Sequence, residues 1–195
     1  MTEPYRIDTT SNSKRREVED WLWGLDLVSA PLKEKIVTAW VSTWASSSYA
    51  RLEDMPFSAG VEYPLMRHVN EVTRAGVDLA KRAQADWGVK IDNEVLVPIL
   101  ILHDVDKPLM YVREGTDIGY ARLSREIPHG VVGAMLLKDL GFAHTIVSTV
   151  SVHSPKLPFK GQNFEAYVQH HADMFCADHA MMSVGKTPSY QVHVG

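Results

Sequence analysis

The stretch Ile99-Leu100-Ile101-Leu102-His103-Asp104-Val105-Asp106-Lys107-Pro108 decides how this chain is read. An aliphatic run ends abruptly in an adjacent imidazole and carboxylate, with a lysine three residues beyond the aspartate. Burying that pair in a folding core costs free energy, because an unpaired buried charge loses its hydration. A divalent cation reverses the sign: it takes imidazole nitrogen and carboxylate oxygen as ligands and supplies the positive charge. Such a site needs further ligands from elsewhere in the chain.

Composition narrows the field around this stretch. At 195 residues the chain can bury a substantial core, and a single domain over 1–195 is expected. Apolar residues make up 45% and charged residues 23%, as in a globular protein. A net charge of -4 leaves no footprint for nucleic acid or an anionic membrane, while a small anionic substrate stays open. The single cysteine, Cys176, cannot form an internal disulfide and suits a reducing compartment. The first residues lack the apolar core of a signal peptide, and the run near Val95–Leu102 is too short to span a bilayer. A cytoplasmic location is expected.

Periodicity predicts a chain dominated by helices. Residues Met1–Asn12 read as a surface arm. Ser13 is a candidate cap for a helix carrying Val18, Trp21 and Leu22. A second helix begins at Pro31 and carries Leu32, Ile36, Trp40 and Trp44, a stripe best read as core. Arg51–Pro64 reads as a loop. Leu65–Trp87 is the clearest amphipathic helix, with Leu65, Val69, Val72, Gly76, Leu79, Ala83 and Trp87 inward, His68 at the border and Gly88 as terminator. Asp92 or Asn93 can cap Glu94–Asp104, whose apolar run fits a buried strand or a buried helix equally, and Pro98 weakens both.

Further on, Pro108–Leu123 reads as an excursion loop able to act as a lid. Ser124 is a candidate cap for a helix with Val131, Val132, Met135, Leu136 and Leu140 inward, which places His129 in its first turns and ends at Gly141. Phe142–Val152 forms a short helix leading to His153, Leu157–Gln162 a loop, Phe164–Met182 the last long helix and Ser183–Gly195 a tail.

The acids and histidines at inward or terminal positions of these helices form an ordered set: His68, His103-Asp104, His129, His153 and Asp173. Helix bundles build metal sites in this way, with each helix contributing about one ligand. His68, His103, Asp104 and Asp173 suffice for one ion; His129 and His153 are then surplus, and a second ion bridged by Asp104 would use them. Paired metals suit phosphoryl chemistry, where they activate water and stabilise phosphate oxygens. Asp178 rivals Asp173 on the same helix. His170 and His171 cannot share a face, so one of them can support a ligand by hydrogen bond. His144, His179 and His193 read as surface residues, and Glu62 and Tyr63 as candidates to line the pocket.

The order His … His-Asp … His … His … Asp resembles the HD-domain metal-dependent phosphohydrolase superfamily. His68-Val-Asn-Glu-Val is similar to its first-histidine helix, and His103-Asp104-Val-Asp-Lys107 to its name motif. Pro128-His129-Gly130-Val-Val-Gly-Ala followed by His153 resembles the branch with extra histidines and two metals. The resemblance covers about residues 64–182 and leaves the N-terminal helical extension, about 13–50, outside.

The resemblance implies an all-α bundle with additional N-terminal helices. It also implies two divalent ions, drawn from Fe, Mn, Mg, Zn, Co or Ni, held by His68, His103, Asp104, His129, His153 and Asp173. Asp104 and Lys107 are the implied catalytic groups, Lys107 facing a substrate phosphate. Apart from the resemblance, Lys156, three residues after His153, is placed either to reach an anionic substrate or to stand solvated. The implied activity is hydrolysis of a small-molecule or nucleotide phosphoester by metal-activated water. Two rivals share the sequence features: a di-iron oxygenase cleaving a C–C or C–P bond, and a non-catalytic HD binding module. Specificity is expected in Arg51–Pro64 and Pro108–Leu123. The Trp-rich N-terminal helices can pack on the core or on a second subunit, which leaves a homo-oligomer open.

Overall fold

The computed structural model describes residues 4–155, 157 and 161–192. Lys156 and His193 lie outside the described residues. The architecture is an all-α bundle with two small antiparallel hairpins. Its centre is the helix α4, Asn93–Leu102, so the ambiguity over Glu94–Asp104 resolves to a helix. Asp92 caps it, accepting from the Glu94 amide at 2.9 Å. Leu96 to Leu102 are all buried. A helix apolar on every side must be enclosed, and α4 packs against α2 (Ala30–Ser46), α3 (Leu65–Trp87), α7 (His144–Val152) and α8 (Phe164–Ser183). Tertiary burial overrides the low helix propensity of Pro98 here.

Gly76 of α3 lies against α4. A Cβ there would sit 2.4 Å from Leu100 Cδ2, so a larger residue would force Leu100 to move. The buried stripe of α3 continues through Ala80 and Ala83, which leaves Leu79 42% and Trp87 61% exposed, contrary to the expectation. Trp87 instead meets Phe164 edge-on, with ring centroids 6.1 Å apart. Gly88 closes α3 with a positive φ of 65°.

The first helix, α1 (Asn12–Trp21), begins after Ser11 rather than at Ser13. The segment before it is not a loose arm. Tyr5 donates to Asp139 at 2.7 Å, and the Asp8 amide donates to Ser42 at 2.9 Å. α2 starts at Ala30, and its buried Trp40 donates Nε1 to the Ile101 carbonyl at 3.3 Å, which seats α2 on α4.

The expected loop at Arg51–Pro64 contains a hairpin, β1 (Pro56–Ser58) with β2 (Val61–Pro64). The expected excursion at Pro108–Leu123 contains α5 (Lys107–Met110) and a second hairpin, β3 (Tyr111–Glu114) with β4 (Asp117–Tyr120). The two hairpins hold each other. Arg113 pairs with Glu62 at 2.8 and 3.2 Å, and the Gly60 amide donates to the Ile118 carbonyl at 3.0 Å. Strands of three or four residues are too short for alternation to betray them.

Helix α6 is Val131–Asp139, not a helix from Ser124, because Pro128 separates it from a single 3-10 turn at Arg122–Arg125. His129 therefore precedes the helix. Met135 is 42% exposed rather than inward. A short helix α9, Ser189–Val192, forms in the expected tail. Among the described residues no helix is long and apolar enough to cross a membrane.

Candidate metal centre

Two of the histidines arise by the same local device. His103 terminates α4 and donates Nδ1–H to the Leu100 carbonyl at 2.8 Å; His153 terminates α7 and donates Nδ1–H to the Val150 carbonyl at 2.7 Å. Each takes a carbonyl of the kind that the last turn of a helix leaves unpaired. These carbonyls accept the Nδ1 proton, so Nε2 is the atom that each ring turns toward the cluster. His129 is oriented differently, its Nδ1 lying 2.7 Å from the Asp106 carboxylate. His68 projects from the buried face of α3, and its ring packs 4.3 Å from Phe57 of β1.

Asp104 lies between these rings, buried, with its two oxygens facing opposite ways. Around Oδ2 stand His103 Nε2 at 3.2 Å and His68 Nε2 at 3.5 Å, the two nitrogens 3.4 Å apart. Asp173 Oδ1 of α8 completes that side, 3.3 Å from His68 Nε2 and 3.7 Å from His103 Nε2. Around Oδ1 stand His129 Nε2 at 2.9 Å and His153 Nε2 at 3.5 Å, themselves 3.1 Å apart. His68, His103 and Asp104 form one group whose ligand atoms lie within 4.8 Å of one another; Asp104, His129 and His153 form a second.

The donor set fits divalent cations. Imidazole nitrogens and carboxylate oxygens converge on Asp104, and these are the atoms that a divalent cation takes as ligands. Asp104 Oδ2 already has a positive charge beside it, Lys107 Nζ at 2.6 Å, whereas the buried Nδ1 of His68 has no hydrogen-bond partner.

The charges are tuned accordingly. Burial opposes ionisation of Asp104, but His103 and Lys107 outweigh it and hold the carboxyl well below the usual range. Asp173 is likewise held down against burial by His103 and His68. Burial lowers the pKa values of His68 and His153. In His103 burial is outweighed by Asp104 and Asp173, and its pKa rises. In His129 burial is outweighed by Asp106 and Asp104, which lift it to about 9. Lys107 is buried, stays charged through Asp104 and lies 4.1 Å over the Phe57 ring.

The structure thus brings together His68, His103, Asp104, His129, His153, Asp173 and Lys107. It keeps others apart. Asp178 accepts from the Ser189 amide at 2.6 Å, at the start of α9. Tyr63 bonds Glu71 at 2.7 Å and Glu62 pairs with Arg113, so neither is engaged at the cluster. His171 meets Tyr167 edge-on, and His144 and His179 are exposed, as expected. Cys176 is a buried core residue. Sequence reasoning passed over Asp106, Phe57 and Gln169, whose amide donates to Asp173 at 3.3 Å. Only Asp106 left a signal, as a second acid two residues after Asp104 in a run that is otherwise apolar up to Lys107.

A cavity of about 940 Å³ lies beside α5 and the second hairpin. Pro108, Tyr111, Tyr120, Leu123 and Ile127 line it, and none of the clustered residues does.

No family profile matches the chain, and no solved structure matches it. The chain is similar to the dihydroneopterin 2',3'-cyclic phosphate phosphodiesterase of Methanocaldococcus jannaschii, with 27% identity over 112 residues. That match covers 56% of this chain and 44% of the relative, so the chain spans less than half of that protein.

Proposed function

We propose that this protein is a metal-dependent phosphohydrolase of the HD type, acting on a phosphodiester of a small molecule or nucleotide. The observation that carries the reading is the two-sided environment of Asp104, with imidazole nitrogens gathered on each carboxylate oxygen. His68, His103, Asp104 and Asp173 would hold one divalent ion, and Asp104, His129 and His153 a second. Such ions, when bound, supply an activated water and positive charge for phosphate oxygens.

The chain's own groups do the rest. Lys107 offsets the Asp104 charge at 2.6 Å and stands ready as a point charge for a phosphoryl oxygen. Phe57 covers His68 and Lys107 and keeps bulk water from both. The 940 Å³ cavity draws part of its lining from the Pro108–Leu123 segment and can receive the organic part of a substrate. The likeness to a cyclic phosphate phosphodiesterase favours hydrolysis over the oxygenase reading and a diester over a monoester.

The test is to load the stripped protein with Mn2+ or Fe2+ and assay bis(p-nitrophenyl) phosphate, p-nitrophenyl phosphate and a nucleoside 2',3'-cyclic phosphate. Cleavage of a diester that stops on chelation is expected. Oxygen consumption by the iron-loaded protein without phosphoester cleavage would transfer the site to the oxygenase class.

A further inference from the structure

The geometry points to Asp106 as the positioning residue of the Oδ1 side, one carboxylate that orients His129 and anchors the start of α6 together. This rests on the reading that Asp104, His129 and His153 hold a metal ion. Asp106 is wholly buried and belongs to neither group of convergent ligand atoms. Its Oδ1 lies 2.7 Å from His129 Nδ1, and its Oδ2 accepts from the Gly130 amide at 2.7 Å and the Gly133 amide at 3.2 Å. Both oxygens are therefore committed. One fixes the ring's proton on Nδ1 and turns Nε2 toward Asp104; the other pins the backbone that carries the ring.

The two glycines make the approach possible. Gly130 has φ of +92°, and a Cβ there would lie 2.8 Å from the Val150 carbonyl and 3.2 Å from His153 Nδ1. A Cβ on Gly133 would lie 3.1 Å from Val105 Cγ1. The spacing His129-Gly130-Val131-Val132-Gly133 thus delivers an imidazole and two backbone N–H groups to one carboxylate. His68, on the other side of Asp104, has no such support, since its Nδ1 makes no hydrogen bond.

Carboxylate support of this kind raises the basicity of a ligating imidazole and fixes its orientation. Asparagine cannot replace it. Its single oxygen can serve the glycine amides or the His129 N–H, and its NH2 then opposes whichever donor remains.

The experiment is calorimetric titration of the chelator-stripped, full-length protein with Co2+ and Zn2+, with bound ions counted per chain. Wild type should take up two ions. Asp106→Asn should weaken one of them by roughly tenfold to a hundredfold and leave the other unchanged. Adding Asp106→Asn to His129→Ala should leave the remaining ion as tightly bound as in His129→Ala alone, because Asp106 supports the Oδ1 side only. Weakening of that remaining ion in the double variant would overturn the inference; so would wild-type affinity in Asp106→Asn. If circular dichroism shows Asp106→Asn unfolded, Asp106→Glu replaces it, keeping the charge and shifting the carboxylate by one methylene. Loss at one ion is again expected, and unchanged binding overturns the inference. Wild type that takes up no ion would overturn the metal reading itself, a result read before any variant is made.

Discussion

The side of the cluster on Asp104 Oδ2 and the side on Oδ1 use the same ligand types and differ in what stands behind them. On Oδ2, His68 comes from the first turn of a long helix, is wholly buried and is faced by a second carboxylate, Asp173. On Oδ1, His129 comes from a connecting segment, keeps 21% of its side chain exposed and has its carboxylate behind it, in Asp106. Each side pairs one histidine whose pKa is raised with one whose pKa is lowered: His103 with His68, His129 with His153. His129 is the ring held up to about 9, so an ion bound on its side would have to displace that proton.

The largest effect should come from the residue the two sides share. Asp104→Ala removes both oxygens and leaves Lys107 buried without its carboxylate. Elemental analysis should find no tightly bound ion, and turnover should vanish. One ion retained at full occupancy would show that the sides do not depend on a common ligand.

A smaller effect separates the sides. His68→Ala and His129→Ala should each lower the count from two ions to one. Loss of both ions in either variant would mean that the two sides fill only together.

Changes in pH sharpen the contrast. His129, lifted to about 9, is charged at neutral pH, so affinity on the Oδ1 side should rise as pH increases toward 9, by up to about tenfold per unit for the one proton displaced. The metal-free protein should show the reverse trend in stability. A folded pKa above the usual imidazole value of 6.5 contributes stability that is fully present below 6.5 and lost as pH rises through about 9. Thermal melts of stripped protein across that window read it directly, and a midpoint that rises with pH there would contradict the charged His129.

The smallest effect belongs to Asp178→Asn. Metal affinity should be unchanged, and stability should fall by no more than about 1 kcal/mol as the Ser189 contact at α9 weakens. A lost ion in that variant would reopen the choice between Asp173 and Asp178.

Much of this was legible in the chain itself. The α3 periodicity, the Asp92 cap, the Trp40–Trp44 core stripe and the ordered His and Asp positions are local signals, set by spacing along one helix or by a side chain and its near neighbours. The errors were equally physical. Both hairpins escape the periodicity because their strands are three or four residues long, and contacts distant in sequence, such as Arg113 with Glu62, hold one hairpin to the other. The expected helix from Ser124 starts later, at Val131, because Pro128 and the positive φ of Gly130 separate α6 from the turn at Arg122–Arg125. Leu79 and Trp87 were placed inward because a stripe read by hydropathy alone prefers large residues, whereas the helix buried its small ones against α8 and α4.

By itself, then, the sequence determined a helical chain with a candidate set of imidazoles and carboxylates, since composition and a 3.6-residue period require nothing beyond the local chain. Only the tertiary structure decided whether the apolar run before His103 was strand or helix, because enclosure on all sides is a property of its neighbours. It alone placed Asp173 rather than Asp178 beside His68, since that depends on how α8 packs against α3. It alone disclosed Asp106. Two oxygens reaching a ring 23 residues away and amides 24 and 27 residues away form a long-range arrangement that no spacing rule encodes.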